Sequence, residues 1–557
     1  MKLHVMMIAA VIGLQPQQGP VEQTSPGTRD PAPLATSFDG MGVGFEGPQG
    51  KYEGRNPSDN SLAVGPDHIV QTVNSRLAVF TKKGRQYDTT GTVLYGPVNT
   101  NTIFAGLQGP CATRNNGDAV VRYDQIADRW LVTMPIFSRI PLSEVGQRPP
   151  LDTPAPPGQL AAPGQASAPG PAAAPAPNPP PPPAPPQGRG ARGQQPAAQP
   201  APPPPPPSTY GMCYAISVGP DPLGAYYRYS FERPLFPDYP RPAVWIDGYY
   251  NPTSSSDNRI SETIATQKHA CVVDRAKMLK GQPASEQCLV VLNVNFLNNA
   301  DIDGKSLPPD GSPNIMMAAG GTQLDKIVEA STIDVWQFHV DWKNPKNTKL
   351  IGPEKIPVAP YHYLCDGQLT NCVPQPGTDR GLDAQGDKIM SRVVYRRVNG
   401  REMIVATHSV NSAAGGGGVR WYELGIDKAR KVTLHQQGTY APDKFFRWMA
   451  SPAIDRFGNI GIGYSFGGTP NFAGQRFAGR TPTDPPGVLT TRETVLVEGE
   501  ASQTNTLRWE DYTTTAIDPS DDCTVWYVGD YLKKDAASYS TKIGAFRLPQ
   551  CAGAAGR

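Results

Sequence analysis

Polar and aromatic residues recur just ahead of the short apolar runs of this chain, and together their side chains could bind a sugar. Carboxylates accept hydrogen bonds from sugar hydroxyls, guanidinium groups hold a carboxylate through two parallel hydrogen bonds, and aromatic rings stack on sugar faces. We therefore predict that these residues form the mouth of a site for a glycan or another protein. The predicted ligand-binding residues are Asp59, Asn60, Tyr239, Arg241, Arg447, Trp448 and Arg508.

Some residues of the same kind suggest an alternative, the hydrolysis of a glycosidic bond. The candidate catalytic residues are Asp118, Asp387, Asp511 and Tyr512. Hydrolysis needs two carboxyl groups that face each other about 5–10 Å apart, and Asp118 with Asp511 or Asp387 could supply them. A sialidase-like enzyme would add to Tyr512 a set of arginines, namely Arg241, Arg447 and Arg508. No motif in the sequence decides between binding and hydrolysis.

Each of these Asp residues also has a simpler interpretation. Asp at the start of a strand commonly caps a turn, because its carboxylate accepts hydrogen bonds from nearby backbone N–H groups. An Asp in that role supports the fold and contacts no ligand. The surroundings of each carboxylate must therefore distinguish the two roles.

A separate Asp-rich segment has the spacing of a calcium loop. Its candidate ligands are Asn299, Asp301, Asp303 and Asp310. Calcium prefers such oxygen ligands, and Asp310 stands where a Glu usually completes the set. Pro308 and Pro309 fall where the loop should enter a helix, so a structural turn is the alternative. We expect no other cofactor.

The intervening chain has the pattern of short β-strands separated by turns rich in Gly, Pro and Asp, which predicts an all-β fold. Seven comparable units recur, each with an apolar strand, a turn such as YDQIAD or IDPSDD, and a second strand rich in Ile, Val, Tyr or Trp. Such a unit is typical of the inner strands of a propeller blade. We predict a seven-bladed β-propeller, with six blades or a β-sandwich as alternatives. A strand near residues 37–45 would pair with the last unit and close the ring.

These units resemble, in their order, a family of secreted bacterial β-propeller proteins to which no activity is assigned. The segments that carry the resemblance include DNSLAVGPDHIVQTVNSRLAVF, GDAVVRYDQIADRWL, FPDYPRPAVWIDGYY, QQGTYAPDKFFRWMASPAIDRFGNIGIGYS and RWEDYTTTAIDPSDDCTVWYVGDYL. The resemblance covers nearly the whole folded region and implies a secreted propeller, without implying any catalytic or ligand-binding residue. The step Glu510-Asp511-Tyr512 is also similar to segments of sialidase-like propellers, with Glu where Gly is usual.

Composition divides the chain into four kinds of segment. Residues 1–19 have the basic and apolar layout of a signal peptide, and residues 20–36 have the composition of a disordered linker. Residues 147–208 are so rich in Pro and Ala that they cannot form a core, which predicts a disordered insertion. Strand-like runs flank the insertion on both sides, so a single propeller domain should comprise residues 37–146 and 209–557.

The cysteines support export, because disulfides persist in oxidising compartments. The chain has 8 of them. Their spacing suggests the pairs Cys365–Cys372, Cys271–Cys288 and Cys523–Cys551, which leaves Cys111 and Cys213 for each other. We therefore expect a secreted, periplasmic or cell-surface protein. The formal net charge of +2 gives no reason to expect nucleic acid as a partner, and we expect a monomer without a membrane span.

Overall fold

A computed structural model describes residues 21–137, 210–256, 267–292, 294, 296–320, 331–368 and 371–554. The predicted signal peptide (residues 1–19) and the predicted insertion (residues 147–208) lie outside the described residues. Among the described residues, no helix has the length and apolar character that crossing a membrane requires.

The chain begins with short strands and then forms two four-stranded antiparallel sheets. The early strands are β1 (Glu22–Gln23), β2 (Leu34–Asp39), β3 (Glu46–Gly47) and β4 (Gly50–Lys51). Sheet 1 consists of β5 (Ser61–Val64), β6 (His68–Val73), β7 (Arg76–Thr81) and β8 (Val93–Asn99). Sheet 2 consists of β9 (Val120–Asp124), β10 (Arg129–Ile136), β11 (Tyr210–Ser217) and β12 (Tyr226–Arg233).

Sheets 3 and 4 follow, and the second strand of sheet 3 is interrupted. Sheet 3 consists of β13 (Phe236–Asp238), β14 (Ala243–Val244), β15 (Tyr249–Tyr250), β16 (Thr253–Ser256), β17 (Gln267–Val273) and β18 (Glu286–Val291). Here β15 and β16 both pair with β17 and together replace one continuous strand. We call β19 (Asn298–Ile302), β20 (Asn314–Ala319), β21 (Thr332–His339) and β22 (Lys349–Pro357) sheet 4; the parallel pair of β19 with β23 (Val393–Val398) joins them with the next sheet, sheet 5, and with β1 into one nine-stranded sheet.

Sheets 5 and 6 contain the longest strands, and sheet 7 includes a strand from the start of the chain. Sheet 5 consists of β23 (Val393–Val398), β24 (Arg401–Asn411), β25 (Gly417–Ile426) and β26 (Val432–Tyr440). Sheet 6 consists of β27 (Phe446–Ile454), β28 (Ile460–Gly468), β29 (Asn471–Arg480) and β30 (Thr494–Val497). Sheet 7 consists of β31 (Thr514–Ile517), β32 (Val525–Tyr531), β33 (Ser540–Phe546) and the earlier β2.

Helices are few and short in the described part of the chain. The α-helices are α1 (Pro110–Thr113), α2 (Arg275–Met278) and α3 (Pro549–Ala554). Single 3₁₀ turns occur at Thr100–Phe104, Pro345–Asn347 and Leu364–Gly367. The prediction of an all-β fold built from many small sheets is therefore confirmed.

The first strands of the sheets contact one another in a closed cycle. The cycle runs β5, β9, β14, β19, β23, β27, β31 and back to β5. Where two of these strands are hydrogen-bonded, as β19 and β23 are, they run parallel. The residues that precede the first strands therefore collect at one end of a common axis, and the turns that follow them collect at the other end.

The amino-terminal segment belongs to the fold. As predicted, a strand close to residue 37 pairs with the last sheet: β2 pairs antiparallel with β33, although it begins at Leu34. The prediction of a disordered linker over residues 20–36 needs correction for its described part. β1 pairs parallel with β26 of sheet 5, and the Gln23 side chain contacts Leu489 of sheet 6. This segment therefore pairs with sheets 5 and 7 through its backbone and reaches sheet 6 through the Gln23 side chain, which its composition does not reveal.

Apolar side chains fill the space between neighbouring sheets. Between sheets 1 and 2, for example, Val70, Val79, Val121 and Trp130 pack in one cluster and are almost fully buried. A sheet with only four strands has little apolar surface of its own, so packing on both faces against neighbours supplies its stability.

All four disulfides form as the sequence predicted: Cys111–Cys213, Cys271–Cys288, Cys365–Cys372 and Cys523–Cys551. The strands on either side of the predicted insertion are also neighbours. β10 and β11 pair antiparallel from Leu131↔Ile216 to Ile136↔Gly211, so the insertion interrupts one sheet, as predicted.

Candidate functional site

The backbone turns sharply just before several first strands. Asp59, Asp118, Tyr239, Arg392 and Asp511 have φ values of 45°, 53°, 50°, 55° and 68°. Residues other than glycine rarely adopt this left-handed backbone conformation, which costs on the order of 1–3 kcal/mol at each position. The same conformation recurs in five different sheets, so the fold holds these residues in place at the end of the axis where the first strands begin.

Three carboxyl groups meet at this end of the axis, each from a different sheet. Asp118 lies within hydrogen-bonding range of both Asp59 and Asp238. The other contacts of the three are few: Asn74 Nδ2 donates to Asp59 Oδ2 at 2.6 Å, and Tyr239 N donates to Asp238 Oδ1 at 3.0 Å. We call Asp59, Asp118 and Asp238 the carboxyl trio.

A fourth carboxylate, Asp511, lies beside the trio and is held by cationic and amide groups. Arg508 bonds to Asp511 Oδ2, and Arg508 Nε donates to Asp383 Oδ2 at 2.8 Å. Gln385 Nε2 donates to Asp511 Oδ1 at 3.0 Å. Asp511 is therefore paired, whereas the trio is not.

An aromatic wall flanks the carboxyl groups. The Tyr239 ring meets the rings of Phe296 and Tyr512 edge to face, with centroids 5.0 and 5.5 Å apart. Arg241 and Lys388 lie over the Phe296 ring at 4.9 and 4.3 Å from its centroid. The wall thus combines ring faces with cationic groups, an arrangement that cation–π attraction stabilises.

Lys388 also fixes the remaining predicted carboxylate. Its Nζ lies 2.5 Å from Asp387 Oδ1 and 2.5 Å from Gln385 Oε1. Asp387 Oδ2 has no hydrogen-bond partner although it is buried. We call the whole assembly the mouth cluster, which consists of Asp59, Asp118, Asp238, Tyr239, Arg241, Phe296, Asp383, Gln385, Asp387, Lys388, Arg508, Asp511 and Tyr512.

Burial and mutual repulsion shift the pKa values of the cluster. Burial, followed by the negative charge of Asp511, raises the pKa of Asp118 to about 6. Burial and the charges of Asp118 and Asp511 hold the pKa values of Asp59 and Asp238 well above the usual range. Burial and Asp511 raise the pKa of Asp383 to about 7. The cluster therefore holds more carboxyl groups than it can ionise together at neutral pH.

The mouth cluster is open on one side. Asp118, Asp238 and Tyr239 are partly exposed, and the Arg508 side chain is 39% exposed. Asp59, Tyr512 and Arg241 form its buried walls. A ligand that reaches the partly exposed carboxyl groups would therefore also meet the aromatic wall.

Most of the residues predicted from the sequence converge here. Those that the mouth cluster includes are Asp59, Asp118, Tyr239, Arg241, Asp387, Arg508, Asp511 and Tyr512. Asn60 precedes the same strand as Asp59 but donates to Asp530 of sheet 7 at 3.0 Å, which ties two sheets together.

Arg447 and Trp448 need correction, since the structure places them away from the mouth cluster. Arg447 bonds through its guanidinium to Asp443 and Glu493 at 2.8–3.1 Å, on the side of sheet 6 that carries β30. Trp448 is fully buried and packs against Trp509, with ring centroids 6.2 Å apart. A bulge between Trp448 and Ser451 displaces this end of β27 from the position that the recurring pattern of the units suggested.

The structure also does not form the predicted calcium loop. Asn299 and Asp301 lie inside the strand β19, and Asp310 is exposed at some distance along the chain. Arg392 donates to Asp301 Oδ2 at 2.8 Å and to Asp303 Oδ1 at 2.7 Å. These two buried carboxylates are already paired with two arginines, because Arg122 Nε also lies 3.4 Å from Asp301 Oδ2, and this removes the charge that calcium would need.

Five residues of the mouth cluster were not predicted from the sequence, namely Asp238, Asp383, Gln385, Lys388 and Phe296. Asp238 stands next to Tyr239 in the sequence, and Lys388 stands next to Asp387, so a wider window around each predicted residue would have included both. Phe296 has no polar signal and is identified only by its position before β19. Asp383 and Gln385 reach the cluster through a long connection between sheets 4 and 5, which no repeat pattern locates.

Comparisons with known proteins found only weak likenesses. No family model matches the chain, and no curated protein is significantly similar to it. A solved protein of unknown function from Dyadobacter fermentans is 8% identical, with 93% of this chain and 99% of that chain covered and a TM-score of 0.37. An endo-1,5-alpha-L-arabinanase from Thermotoga petrophila is 10% identical over 94% of this chain and 100% of its own, with a TM-score of 0.26. A thermostable family-43 glycoside hydrolase is 11% identical over 56% and 89%, also with a TM-score of 0.26. Likenesses at this level support no inference about function.

Proposed function

We propose that the chain is an exported, seven-bladed β-propeller that binds a glycan at the mouth cluster. The closed cycle of first strands supports the propeller, because radially arranged sheets place their first strands around a central axis. Four disulfides in the described residues support export, since disulfides persist in oxidising compartments.

The observation that carries the glycan proposal is the convergence of carboxyl, cationic and aromatic side chains on one partly open end of the axis. Asp59, Asp118 and Asp238 come from three separate sheets, and Arg508 and Asp511 come from the connection into a fourth. Residues this far apart in sequence meet only because the sheets are arranged around one axis. The backbone conformation before the strands maintains their positions.

The chemistry of the cluster suits a ligand with many hydroxyl groups. Asp118 and Asp238 are partly exposed, so their carboxyl oxygens could accept hydrogen bonds from such hydroxyls. The partly exposed ring of Tyr239 offers an apolar face for a sugar ring. Arg508 could hold an acidic substituent, because its side chain is the most exposed guanidinium of the cluster.

A glycan array with the purified protein tests this proposal. We expect a defined set of glycans to bind, and we expect Asp118→Asn and Arg508→Gln to weaken that binding by about tenfold or more. Asp310→Asn is the matched control, because Asp310 is exposed outside the cluster. Absence of binding to any glycan, or equal binding by all these variants, would contradict the proposal; binding to a protein instead would indicate the other predicted ligand class.

Glycosidic hydrolysis is the second candidate, and one observation favours it. Asp118 has a pKa raised to about 6, which suits a general acid, and Asp511 lies nearby with a basic partner. In such a reaction Asp118 would give its proton to the leaving glycosidic oxygen. Asp511 or an activated water would attack the anomeric carbon as the bond to that oxygen breaks.

Chromogenic glycosides test this alternative. Turnover that falls above pH of about 6, and that both Asp118→Asn and Asp511→Asn abolish, would establish hydrolysis. Glycan binding without any turnover would restrict the protein to recognition. The Asp310→Asn variant again serves as the control, and it should retain any activity.

A further inference from the structure

We propose that the Cys271–Cys288 disulfide is a site of thiol exchange, at which a small external thiol forms a mixed disulfide with Cys288 and releases Cys271 as a thiolate. The site lies on sheet 3 and shares no residue with the mouth cluster. The proposal therefore does not depend on glycan binding. It assigns a covalent modification to a part of the fold that the proposed function does not use.

The first observation is the position of this disulfide in sheet 3. Cys271 of β17 lies directly opposite Cys288 of β18, within six consecutive antiparallel residue pairs. Among the described strands, β18 pairs with β17 alone, so β18 is an edge strand. Cys288 is partly exposed there, whereas Cys271 is fully buried. An incoming thiol therefore reaches the sulfur of Cys288 and not that of Cys271.

The second observation is a cationic group beside the buried sulfur. Arg233, the last residue of β12 in sheet 2, donates from Nη1 to Cys271 Sγ at 2.7 Å. The Arg233 side chain is only 2% exposed, and its Nε has no hydrogen-bond partner among the described residues. A neighbouring positive charge stabilises a thiolate, and the sulfur with the more stable thiolate leaves faster in thiol exchange. Cys271 is therefore the sulfur that leaves.

A carboxylate shares the same arginine without displacing it from the sulfur. Glu286 Oε1 accepts from Arg233 Nη2 at 2.6 Å and from the Tyr214 hydroxyl at 3.2 Å. Two donors therefore hold the carboxylate, while Arg233 Nη1 remains directed at Cys271 Sγ. The guanidinium thus has separate donors for the carboxylate and for the thiolate.

The Cys523–Cys551 disulfide has the opposite surroundings and serves as an internal reference. Its two residues are 3% and 4% exposed, and Cys551 Sγ lies 3.0 Å from Asp455 Oδ2. A carboxylate beside a sulfur opposes the negative charge of a leaving thiolate. Both the access of a thiol and the nearby charge therefore make this disulfide slower to open than Cys271–Cys288.

The proposed step is a substitution at sulfur. The thiolate of the small thiol attacks Cys288 Sγ, the bond from Cys288 Sγ to Cys271 Sγ breaks, and its electron pair stays on Cys271 Sγ beside Arg233. The products are one mixed disulfide at Cys288 and one thiolate at Cys271. The thiol is the only reactant required, because the sulfur–sulfur bond that forms replaces the one that breaks.

Exchange with reduced glutathione tests the proposal on the full chain. After a timed incubation, acid stops the exchange, N-ethylmaleimide caps the free thiols, and peptide mass spectrometry locates both labels. We expect glutathione on Cys288 and maleimide on Cys271, with this disulfide opening at least about tenfold faster than Cys523–Cys551. Glutathione on Cys271, or a Cys271–Cys288 disulfide that opens no faster than Cys523–Cys551, would overturn the proposal.

A variant assigns the rate to the arginine. We expect Arg233→Met to slow the opening of Cys271–Cys288 at least about tenfold, because the leaving thiolate loses its cation. Arg228→Met is the matched control in the same strand, since the Arg228 guanidinium donates to the backbone oxygens of Ile103 and Tyr226, and it should leave the rate unchanged. Circular dichroism checks the fold of both variants. An unchanged or higher rate in a folded Arg233→Met variant would also overturn the proposal.

The wild-type measurement decides the proposal even where Arg233→Met does not fold, because it compares two disulfides of one molecule. Neither experiment uses a glycan. Failure of the exchange would therefore leave the glycan proposal intact, and absence of glycan binding would leave thiol exchange intact.

Discussion

The two ends of strand β9 carry the same type of residue in opposite circumstances. Asp124 is the last residue of the strand, and its carboxylate accepts hydrogen bonds from Ile126 N and Ala127 N at 3.0 and 3.1 Å. Arg275 and the Tyr249 hydroxyl bond to the same carboxylate at 2.7–3.0 Å. Asp118, which precedes the strand, lies beside other carboxyl groups: burial and the charge of Asp511 raise its pKa, and the charge of Arg508 offsets only part of that rise.

Sheets 6 and 7 show the same pattern at the far end of the axis. Asp455 accepts from Phe457 N, Asn459 N and Asn459 Nδ2 at 2.7–3.0 Å. Asp518 accepts from Ser520 N at 2.9 Å and pairs with Lys82 at 3.0 Å. The Asp residues that follow the first strands therefore complete turns and join sheets. The carboxyl trio differs because no Lys or Arg pairs with it among the described residues, although Asp59 accepts from Asn74 Nδ2 and Asp238 accepts from Tyr239 N.

The largest effect should come from Asp124→Ala. This change removes a fully buried carboxylate and leaves Arg275, whose side chain is 11% exposed, without its partner. We expect the free energy of unfolding to fall by about 3–5 kcal/mol, as is typical when one member of a buried ion pair is lost. Chemical denaturation measures it. Asp118→Ala is the comparison at the other end of the strand; an equal loss there would refute the difference between the two ends.

A smaller loss should follow from Asp455→Ala. Three donors lose their acceptor, two of them backbone groups of the turn between β27 and β28. We expect the free energy of unfolding to fall by about 1–3 kcal/mol, because the turn is partly open and water can replace some of these hydrogen bonds. Thermal unfolding followed by circular dichroism checks this. The change should leave glycan binding at the mouth cluster intact, and a loss of that binding would count against a purely structural role for Asp455.

The Asp118→Asn variant should differ from the wild type in how its stability depends on pH. The folded pKa of Asp118 is raised to about 6, compared with about 3.9 in an unfolded chain, so the folded state binds the proton more tightly. The wild type should lose stability from this group as pH rises from about 4 to about 6. The variant does not titrate, so its stability relative to the wild type should increase over that range and then level off. A difference that is independent of pH would contradict this.

The smallest effect should come from Tyr512→Phe. Its hydroxyl has no hydrogen-bond partner among the described residues, so its removal should change the free energy of unfolding by less than about 0.5 kcal/mol. Tyr249→Phe is the matched control, because that hydroxyl donates to Asp124 Oδ2 at 2.8 Å and should be worth about 1–2 kcal/mol. Similar losses in the two variants, by denaturant unfolding, would show that Tyr512 has a structural partner.

Sequence patterns located the strands and much of the mouth cluster because both repeat. Each unit contributes an apolar run bounded by an Asp-rich turn, and residues such as Asp59 and Asp118 occupy the same place relative to that run. Arg447 does not reach the mouth cluster, although it precedes an apolar run, because the bulge in β27 shifts the end of that strand. A bulge depends on the pairing with β28. Asp383 and Gln385 lie in a long connection, where no periodic pattern marks which residues face the axis.

The sequence by itself determined the local elements: the all-β character, the Asp-capped turns, the partners of the disulfides and the strand that closes the last sheet. Each of these depends on residue types within one segment or on a simple pairing rule. Only the tertiary structure decided which carboxylates are neutralised and which are not. Asp301 and Asp118 both sit at the axis, yet Arg392 reaches one and no cation pairs with the other among the described residues. The reason is that electrostatic surroundings come from neighbouring sheets, and distance along the chain gives no measure of them.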